Sequence, residues 1–458
     1  MVFRLSKEER FKLIQEVNLL RKEVEDRLTP LDHLDAKKPV TFLSIGGGEL
    51  GDLTITTAKR NFGGVLGGIK TVAFDRYFGF PAQDMADAYE CFNLMDGKKL
   101  RESIKKYIPD PTEPHAIYLE VEMIDTLETY KLGMDEGYRI ISTPYSPLVC
   151  MDRHATKLML DKLNLERVDW IYASNEEEVR KAARDLNLPV IVKPVMTSSG
   201  HGTSIVKTKE ELEHAYSHAV AHARGAGDEV IVERYLPELK ENGTEITQIV
   251  VRHFNEHGKI VDSFLPPIEH RRPGATYHES WLPATISEVA KAKCREDAKK
   301  IADFLGGLGV YAVEQFVMGN KVLSNEVANR PHDTGLITRW MLNMDEGGLH
   351  LISSLGLNVT PNHVDFSRKN VFGVAHVVLA PENIEGEVEV LSWEPRKINS
   401  FQISNGIAGD FWYFGKPKAY AGRRMGLAVA FDESLENARR NAELLAHFAE
   451  KCIVYGGK

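Results

Sequence analysis

Cysteine is scarce. The 458 residues hold four, Cys91, Cys150, Cys294 and Cys452, scattered without any metal-ligand spacing. That pattern excludes a zinc cage and a disulfide framework, and it fits a reducing compartment, so a cytoplasmic location is expected. Basic blocks are also missing. The 57 Lys and Arg are outnumbered by 66 Asp and Glu, for a formal net charge of −9. No nucleic-acid groove is expected, and anionic ligands must be met by local cations. No apolar run approaches the ~20 residues of a membrane span. The charged N-terminus does not read as a signal peptide, so no membrane partner is expected. Internal repeats and low-complexity stretches are absent too. What is present, 43% hydrophobic and 27% charged residues, is the composition of a globular enzyme, with room for roughly two to four domains of ~100–200 residues.

Periodicity divides the chain. Ser6-x-x-Glu9 reads as a capping box, and Phe11, Ile14, Val17, Val24 and Leu28 recur at helical spacing until Thr29-Pro30 stops the run. A helical extension over residues 1–35 is expected, packed on its own subunit or serving as a dimer arm. Strands at Val40–Ile45, Thr71–Asp75 and Ala116–Glu120 then alternate with helical stretches, one near Lys98–Ile108. Such alternation predicts a parallel sheet over roughly 36–150, with ligands at the carboxyl ends of its strands. The glycine-rich stretch 61–68 reads as a loop, 151–185 mainly as helix, and 237–243 as a Pro/Gly break. The last ~70 residues read as strands with one closing helix.

Several constellations carry chemistry. Gly46-x-Gly48-x-x-Gly51 after the first strand, with Asp75 ending the second, matches the dinucleotide fingerprint. An NAD-dependent oxidoreductase is therefore one reading. Glu49 argues against it, because a carboxylate at a helix N-terminus repels a pyrophosphate; the turn better suits a small ligand bearing hydroxyls or an amine. Lys193 lies on the apolar strand Val190–Pro194 and needs an anionic partner if buried. The loop Thr197-Ser-Ser-Gly-His-Gly202 can lay backbone N–H groups on phosphate oxygens, or be a plain turn. Val230–Leu236 reads as a strand whose edge can face a purine, with Glu233 near its amine, and Glu245 can meet ribose hydroxyls; singly, each acid also fits a solvated surface. Lys416, Arg423 and Arg424 sit among turns, a candidate clamp for a phosphate monoester or a solvated basic patch.

Glu314 and Glu326 admit a geometric argument. Tyr311–Val317 and Val322–Val327 flank Gly319-Asn-Lys321. A three-residue loop there places Glu314 opposite Glu326, with Cβ atoms about 4.5–5.5 Å apart. Like charges so placed call for a cation between them, and Mg²⁺ takes one or two carboxylates plus substrate phosphates. A two-residue loop would send the acids to opposite faces.

In this order the segments resemble the ATP-grasp superfamily, and more narrowly the formate-dependent phosphoribosylglycinamide formyltransferases, over about residues 36–450. The most specific pieces are Glu326-Val-Ala-Asn-Arg-Pro-His-Asp-Thr-Gly335, Gly48-Glu-Leu-Gly51, Phe414-Gly-Lys-Pro417 followed by Gly422-Arg-Arg424, and Tyr277-His-Glu-Ser-Trp281. The resemblance implies an α/β protein with a Rossmann-like parallel sheet over 36–150, a central α+β ATP-grasp domain over 151–385, and a small β-rich C-terminal domain over 386–458 that completes the substrate site. It implies a homodimer, ATP and Mg²⁺ as cofactors, and formyl transfer from formate to glycinamide ribonucleotide through formyl phosphate, in purine biosynthesis. ATP would fall to Arg153, Lys193, the loop residues Ser198, Ser199, Gly200, His201, Gly202 and Thr203, the segment Glu233, Arg234, Tyr235 and Leu236, and Glu245. Metal would fall to Glu314 and Glu326, and the ribonucleotide to Glu49, Leu50, Glu120, Asp333, Lys416, Arg423 and Arg424.

The chain also departs from that pattern. His201 stands where a loop lysine is usual, Asn329 replaces a proline, Ser146-Pro-Leu-Val-Cys150 replaces an alanine-arginine-alanine-threonine stretch, and Glu269 precedes His270 in place of glycine. Another ATP-grasp ligase or a ribonucleotide carboxylase, an NAD oxidoreductase, and a nucleotide-binding regulator without turnover remain the rival readings.

Overall fold

The computed structural model describes residues 5–30, 39–62, 68–197, 200–224, 227–272 and 277–456. Ser198, Ser199 and residues 63–67 of the expected glycine-rich loop lie outside them. After α1 (Lys7–Arg27) the first module runs β1 (Val40–Ile45), α2 (Glu49–Phe62), β2 (Ile69–Asp75), β3 (Ala88–Cys91), α3 (Gly97–Tyr107), β4 (His115–Leu119), α4 (Thr126–Met134) and β5 (Ile140–Ile141). Its strands pair in parallel in the order β3-β2-β1-β4-β5. The order reverses between β1 and β4, so the turns leaving those two strands open the crevice where such sheets bind ligands.

α5 (Ser146–Cys150) and α6 (Arg153–Lys162) lead into a small lobe: β6 (Trp170–Ala173), α7 (Glu176–Leu186), β7 (Val190–Pro194), β8 (Ser204–Val206), α8 (Leu212–His222) and β9 (Val230–Arg234). Its sheet is antiparallel, ordered β6-β9-β7-β8. The segment 151–185 therefore contains a strand that was expected as helix. Trp170–Ala173 is too short to show a period, and β9 supplies its partner. β9 is interior rather than an edge, since both flanks are paired.

The chain continues through α9 (Pro237–Asn242), β10 (Gly243–Phe254), β11 (Ile260–Phe264), β12 (Ile268–Arg271), β13 (Glu279–Leu282), α10 (Glu288–Leu305), β14 (Gly309–Met318), β15 (Lys321–Ala328), α11 (Thr338–Met341), α12 (Glu346–Ser354) and β16 (Phe372–Leu379). The tail adds β17 (Val388–Trp393), α13 (Pro395–Ser404), β18 (Gly409–Tyr413), β19 (Lys418–Ala419), β20 (Arg424–Asp432), α14 (Leu435–Glu450) and β21 (Ile453–Tyr455). The expected break at 237–243 is a short helix opened by Pro237, whose missing N–H costs nothing in a first turn. One nine-stranded sheet, β15-β14-β10-β12-β13-β16-β20-β18 with β11 on β10, joins the acidic hairpin to the tail. Glu314 and Arg424 thus stand on strands of a single sheet.

α1 packs on its own chain. Ser6 Oγ accepts from Glu9 N at 3.2 Å and Glu9 Oε2 from Ser6 N at 2.7 Å, so the capping box forms. Leu13, Ile14, Val17 and Val24 are buried in a cluster with Met159, Leu160, Ile301 and Leu305 of α6 and α10. Phe11 is 57% exposed, contrary to its expected inward place. The inner face follows Arg10, Leu13, Ile14 and Val17, and the buried position of that first turn belongs to Arg10.

Candidate functional site

A cavity of about 1390 Å³ runs between the small lobe, the nine-stranded sheet and the parallel sheet. Its first end lies at the reversal point. Gly46 adopts φ +108°, and a Cβ there would sit 2.3 Å from Glu120 Oε2, so only glycine lets the two strand ends meet. Asp75 is spent on the backbone: its Oδ2 accepts from Gly47 N at 2.9 Å and its Oδ1 from Arg76 N at 2.6 Å. Glu49 opens α2 and pairs with Lys416 Nζ at 2.9 Å and Arg424 Nη2 at 3.8 Å. Arg424 also binds Asp333. Arg423 donates to Lys418 O at 2.6 Å, and its guanidinium lies against the rings of Tyr77 and Tyr420. Leu50 and Glu120 complete this wall. Acids crowd the turn where a dinucleotide would need its pyrophosphate, which removes the physical basis of the NAD reading.

The second end belongs to the small lobe. Lys193 Nζ pairs with Glu233 Oε2 at 2.7 Å, and Lys157 Nζ reaches Glu233 Oε1 at 2.7 Å. Burial would raise Glu233, but the two ammonium groups outweigh it and hold the carboxyl well below its usual range. Strand pairing ends at Arg234, and the N–H of Tyr235 goes to Pro189 O at 3.2 Å. The cavity is met by the end of β9 and the Tyr235–Leu236 loop rather than by a free strand edge; Glu233 and the exposed Arg234, which reaches Asp169 at 3.9 Å, belong to its lining too. Gly200 and Thr203 line the cavity; Gly202 is buried beneath, and His201 is exposed.

The acidic hairpin stands between these ends. Its turn has two residues, not three: Met318 pairs with Lys321 and Gln315 with Ser324. A two-residue loop alone would split the acids between faces. The register then shifts between Gln315 and Glu314, leaving Asn325 as the extra residue, and Glu314 again faces Glu326. A β-bulge achieves what the longer loop was expected to do. Arg153 Nε holds Glu326 at 3.1 Å and His332 Nε2 holds Glu314 at 3.1 Å, while Arg272 also pairs with Glu314. Burial opposes both carboxylates, yet Arg272 and the His332 hydrogen bond hold Glu314, and Arg153 and Lys193 hold Glu326, below the normal range. His332 Nδ1 lies 3.1 Å from Asp333, which Arg424 holds in turn, so a run of side-chain contacts links the hairpin to the tail cations. Glu245 faces Arg272 at 3.7 Å and His270 at 3.6 Å, and burial pushes it up to about 7.

Lys157, Arg272, His270 and His332 line or buttress the site without having been singled out by sequence. Lys157 had a usable signal, since it follows Arg153 at the i, i+4 spacing that shares one helix face. Two departures from the family pattern prove to be partners: Asn329 Nδ2 donates to Ser146 Oγ at 3.2 Å.

Burial and the neighbouring Glu49 and Asp75 push Glu120 up to about 8. Its folded value lies above the ordinary 4.5, so the folded state binds more protons than the unfolded one between those values. Stability contributed by this group is lost as pH rises through that window. Glu120→Gln should therefore flatten the fall in melting temperature of the ligand-free protein between about pH 4.5 and 8. Parallel melting curves for the two proteins would contradict a buried, late-ionising Glu120.

The ATP-grasp domain family matches residues 158–346, and the family described as PurT, C-terminal, matches 407–448. Formate-dependent phosphoribosylglycinamide formyltransferase of Sulfurisphaera tokodaii is 37% identical over 407 residues, 88% of this chain and 95% of that one. The protein of the same name from Geobacter metallireducens is 35% identical over 418 residues, 90% and 96% of the two chains. Among solved structures, an ADP complex of N5-carboxyaminoimidazole ribonucleotide synthetase is similar with a TM-score of 0.73 at 22% identity, covering 91% of this chain and 99% of that one. At that identity the likeness speaks to the fold alone. Among the described residues, no helix is long and apolar enough to cross a membrane.

Proposed function

The chain belongs to the formate-dependent phosphoribosylglycinamide formyltransferase family of ATP-grasp proteins, and from that premise we propose how its cavity performs the family reaction. ATP phosphorylates formate to formyl phosphate, and the amine of glycinamide ribonucleotide attacks the formyl carbon, releasing ADP and phosphate. No nucleophilic side chain is needed. The work of the protein is to hold the reactants in line and to offset charge.

In this reading Lys193, Arg153 and the Gly200–Thr203 turn take the ATP phosphates, with Ser198 and Ser199 in the same loop. Tyr235 and Leu236 border the base, and Glu245 takes the ribose. Glu314 and Glu326 would hold Mg²⁺; their facing carboxylates, which Arg153 and Arg272 balance, fit a divalent cation. When bound, the metal neutralises phosphate charge. Glu49, Leu50, Glu120 and Asp333 orient the ribonucleotide, and Lys416, Arg423 and Arg424 clamp its phosphate.

The observation that supports this reading is the run of contacts from Glu314 through His332 and Asp333 to Arg424, which joins the hairpin acids to the tail cations. The test is isotopic. With ¹⁸O-labelled formate, the oxygen that attacks phosphorus stays on phosphate when the amine displaces it from carbon. One labelled oxygen is therefore expected in the released phosphate. Label confined to the organic product would overturn the formyl phosphate route, and turnover that depends on bicarbonate would favour a carboxylase instead.

A further inference from the structure

α1 does more than cover an apolar face. Arg10 is fully buried, and its guanidinium closes on two carboxylates from separate parts of the chain. Its Nε donates to Asp152 Oδ2 at 2.7 Å, and Nη1 and Nη2 donate to Glu229 Oε1 and Oε2 at 2.9 and 2.7 Å. A forked pair of this kind fixes angle as well as distance. Asp152 caps α6, accepting from Ala155 N at 2.9 Å, and the next residue is Arg153. Glu229 immediately precedes β9, which ends in Glu233 and Arg234. Backbone bonds tie the same pieces together: Arg153 N donates to Val195 O at 3.0 Å, and Val195 N to Glu229 O at 3.1 Å. The far half of the helix grips the large sheet. Glu25 Oε1 pairs with Arg252 Nη2 at 3.2 Å and accepts from Gly307 N at 3.2 Å. A Cβ on Gly306 would lie 2.3 Å from Arg21 Cγ, so glycine is what admits the helix at the turn that opens β14. β14 carries Glu314.

We infer that α1 is a strap that sets the small four-stranded lobe against the nine-stranded sheet, and that Arg10 is a positioning residue for the nucleotide. It forms no part of the cavity lining. It acts through Arg153, Lys157 and Glu233, whose mutual distances depend on α6 and β9 keeping one relative angle. The inference rests on the assignment of this lobe to ATP, so its test reads nucleotide binding directly rather than formyl transfer.

Two variants keep the fold accessible. Arg10→Lys retains the charge and loses the fork, and Glu229→Gln retains the shape at a residue whose side chain is 16% exposed. ADP binding with Mg²⁺ is measured by calorimetry, and KM for ATP and for the ribonucleotide by steady-state assay. Both variants should weaken ADP and raise the ATP KM on the order of tenfold, short of the ~10²-fold that a full 1 Å misplacement can cost. The ribonucleotide KM should stay within about twofold, because its clamp rests on Glu49 and the tail. Melting-temperature loss with an unchanged ADP affinity would reduce the contact to a purely structural one and overturn the inference, as would equal weakening of both substrates. Wild-type protein that binds no ADP would overturn the nucleotide assignment itself.

Discussion

Glu326→Gln should lower formate-dependent ADP release by at least ~10², the loss seen when one charge-stabilising group is removed from a preorganised site, while the melting temperature stays near that of the wild type. The amide is isosteric, and Glu326 sits on a paired strand whose hydrogen bonds it does not alter. What changes is charge. Glu326 balances Arg153 at 3.1 Å and faces Glu314 across the bulge. With one formal charge gone, the pair becomes a poorer ligand for a divalent cation, and Arg153 loses the acid that aims it. Raising Mg²⁺ should recover little of the lost rate, because the site lacks a ligand rather than an occupant. Wild-type turnover at saturating Mg²⁺ would sink the assignment of Glu326 to the metal.

This hairpin also shows how far the sequence could be read. Its alternation and its acids were legible, and so was the requirement that Glu314 face Glu326. The route was not. The turn length depends on which of Gly319, Asn320 and Lys321 pairs, and a bulge leaves no mark in hydrophobic periodicity. Three strands of the parallel sheet, β1, β2 and β4, were readable because each is a short β-rich run ending at a glycine or an acid; β3 and β5 end at neither and were not. The strand Trp170–Ala173 was not, because its identity rests on β9, far along the chain. Lys193 was conspicuous as a charge on an apolar strand, whereas Lys157 lies in a helix where lysine is ordinary. The roles of Arg272, His270 and His332 were not legible for a different reason. Arg272 balances Glu314 and Glu245, and the His270 and His332 rings lie against those same acids, so each role exists only once the sheet has assembled. Arg10 is the extreme case: an arginine in the first turn of an amphipathic helix reads as solvated surface, and only the fold brings Asp152 and Glu229 to it. The partnership of Asn329 with Ser146 likewise turns two separate departures into one compensated contact.

The tail clamp gives the second large effect, and the ion pairs indicate which cation matters most. Lys416 is already held by Glu49, and Arg424 by Asp333 and Glu49. Arg423 makes no carboxylate salt bridge within 4.0 Å among the described residues; its partners are the Lys418 carbonyl and the Tyr77 hydroxyl. Its charge is therefore the one most available to an incoming phosphate monoester, and Tyr77 and Tyr420 hold the guanidinium plane without neutralising it. Arg423→Met keeps the packing on those rings and removes the charge. A lost hydrogen bond to a charged group costs ~1.5–3 kcal/mol, so the ribonucleotide KM should rise on the order of 10- to 150-fold. The KM for ATP should change by less than about twofold, since a contact made to one substrate alone leaves the other's binding intact. Lys416→Met should act differently. It strips the counter-ion from Glu49, a buried acid that Lys416 and Arg424 keep below its usual range against the cost of burial. That variant should therefore add a loss of thermal stability at neutral pH that Arg423→Met does not show. If Arg423→Met instead weakens ATP and the ribonucleotide to the same degree, the residue buttresses the whole cavity, and the phosphate contact belongs elsewhere.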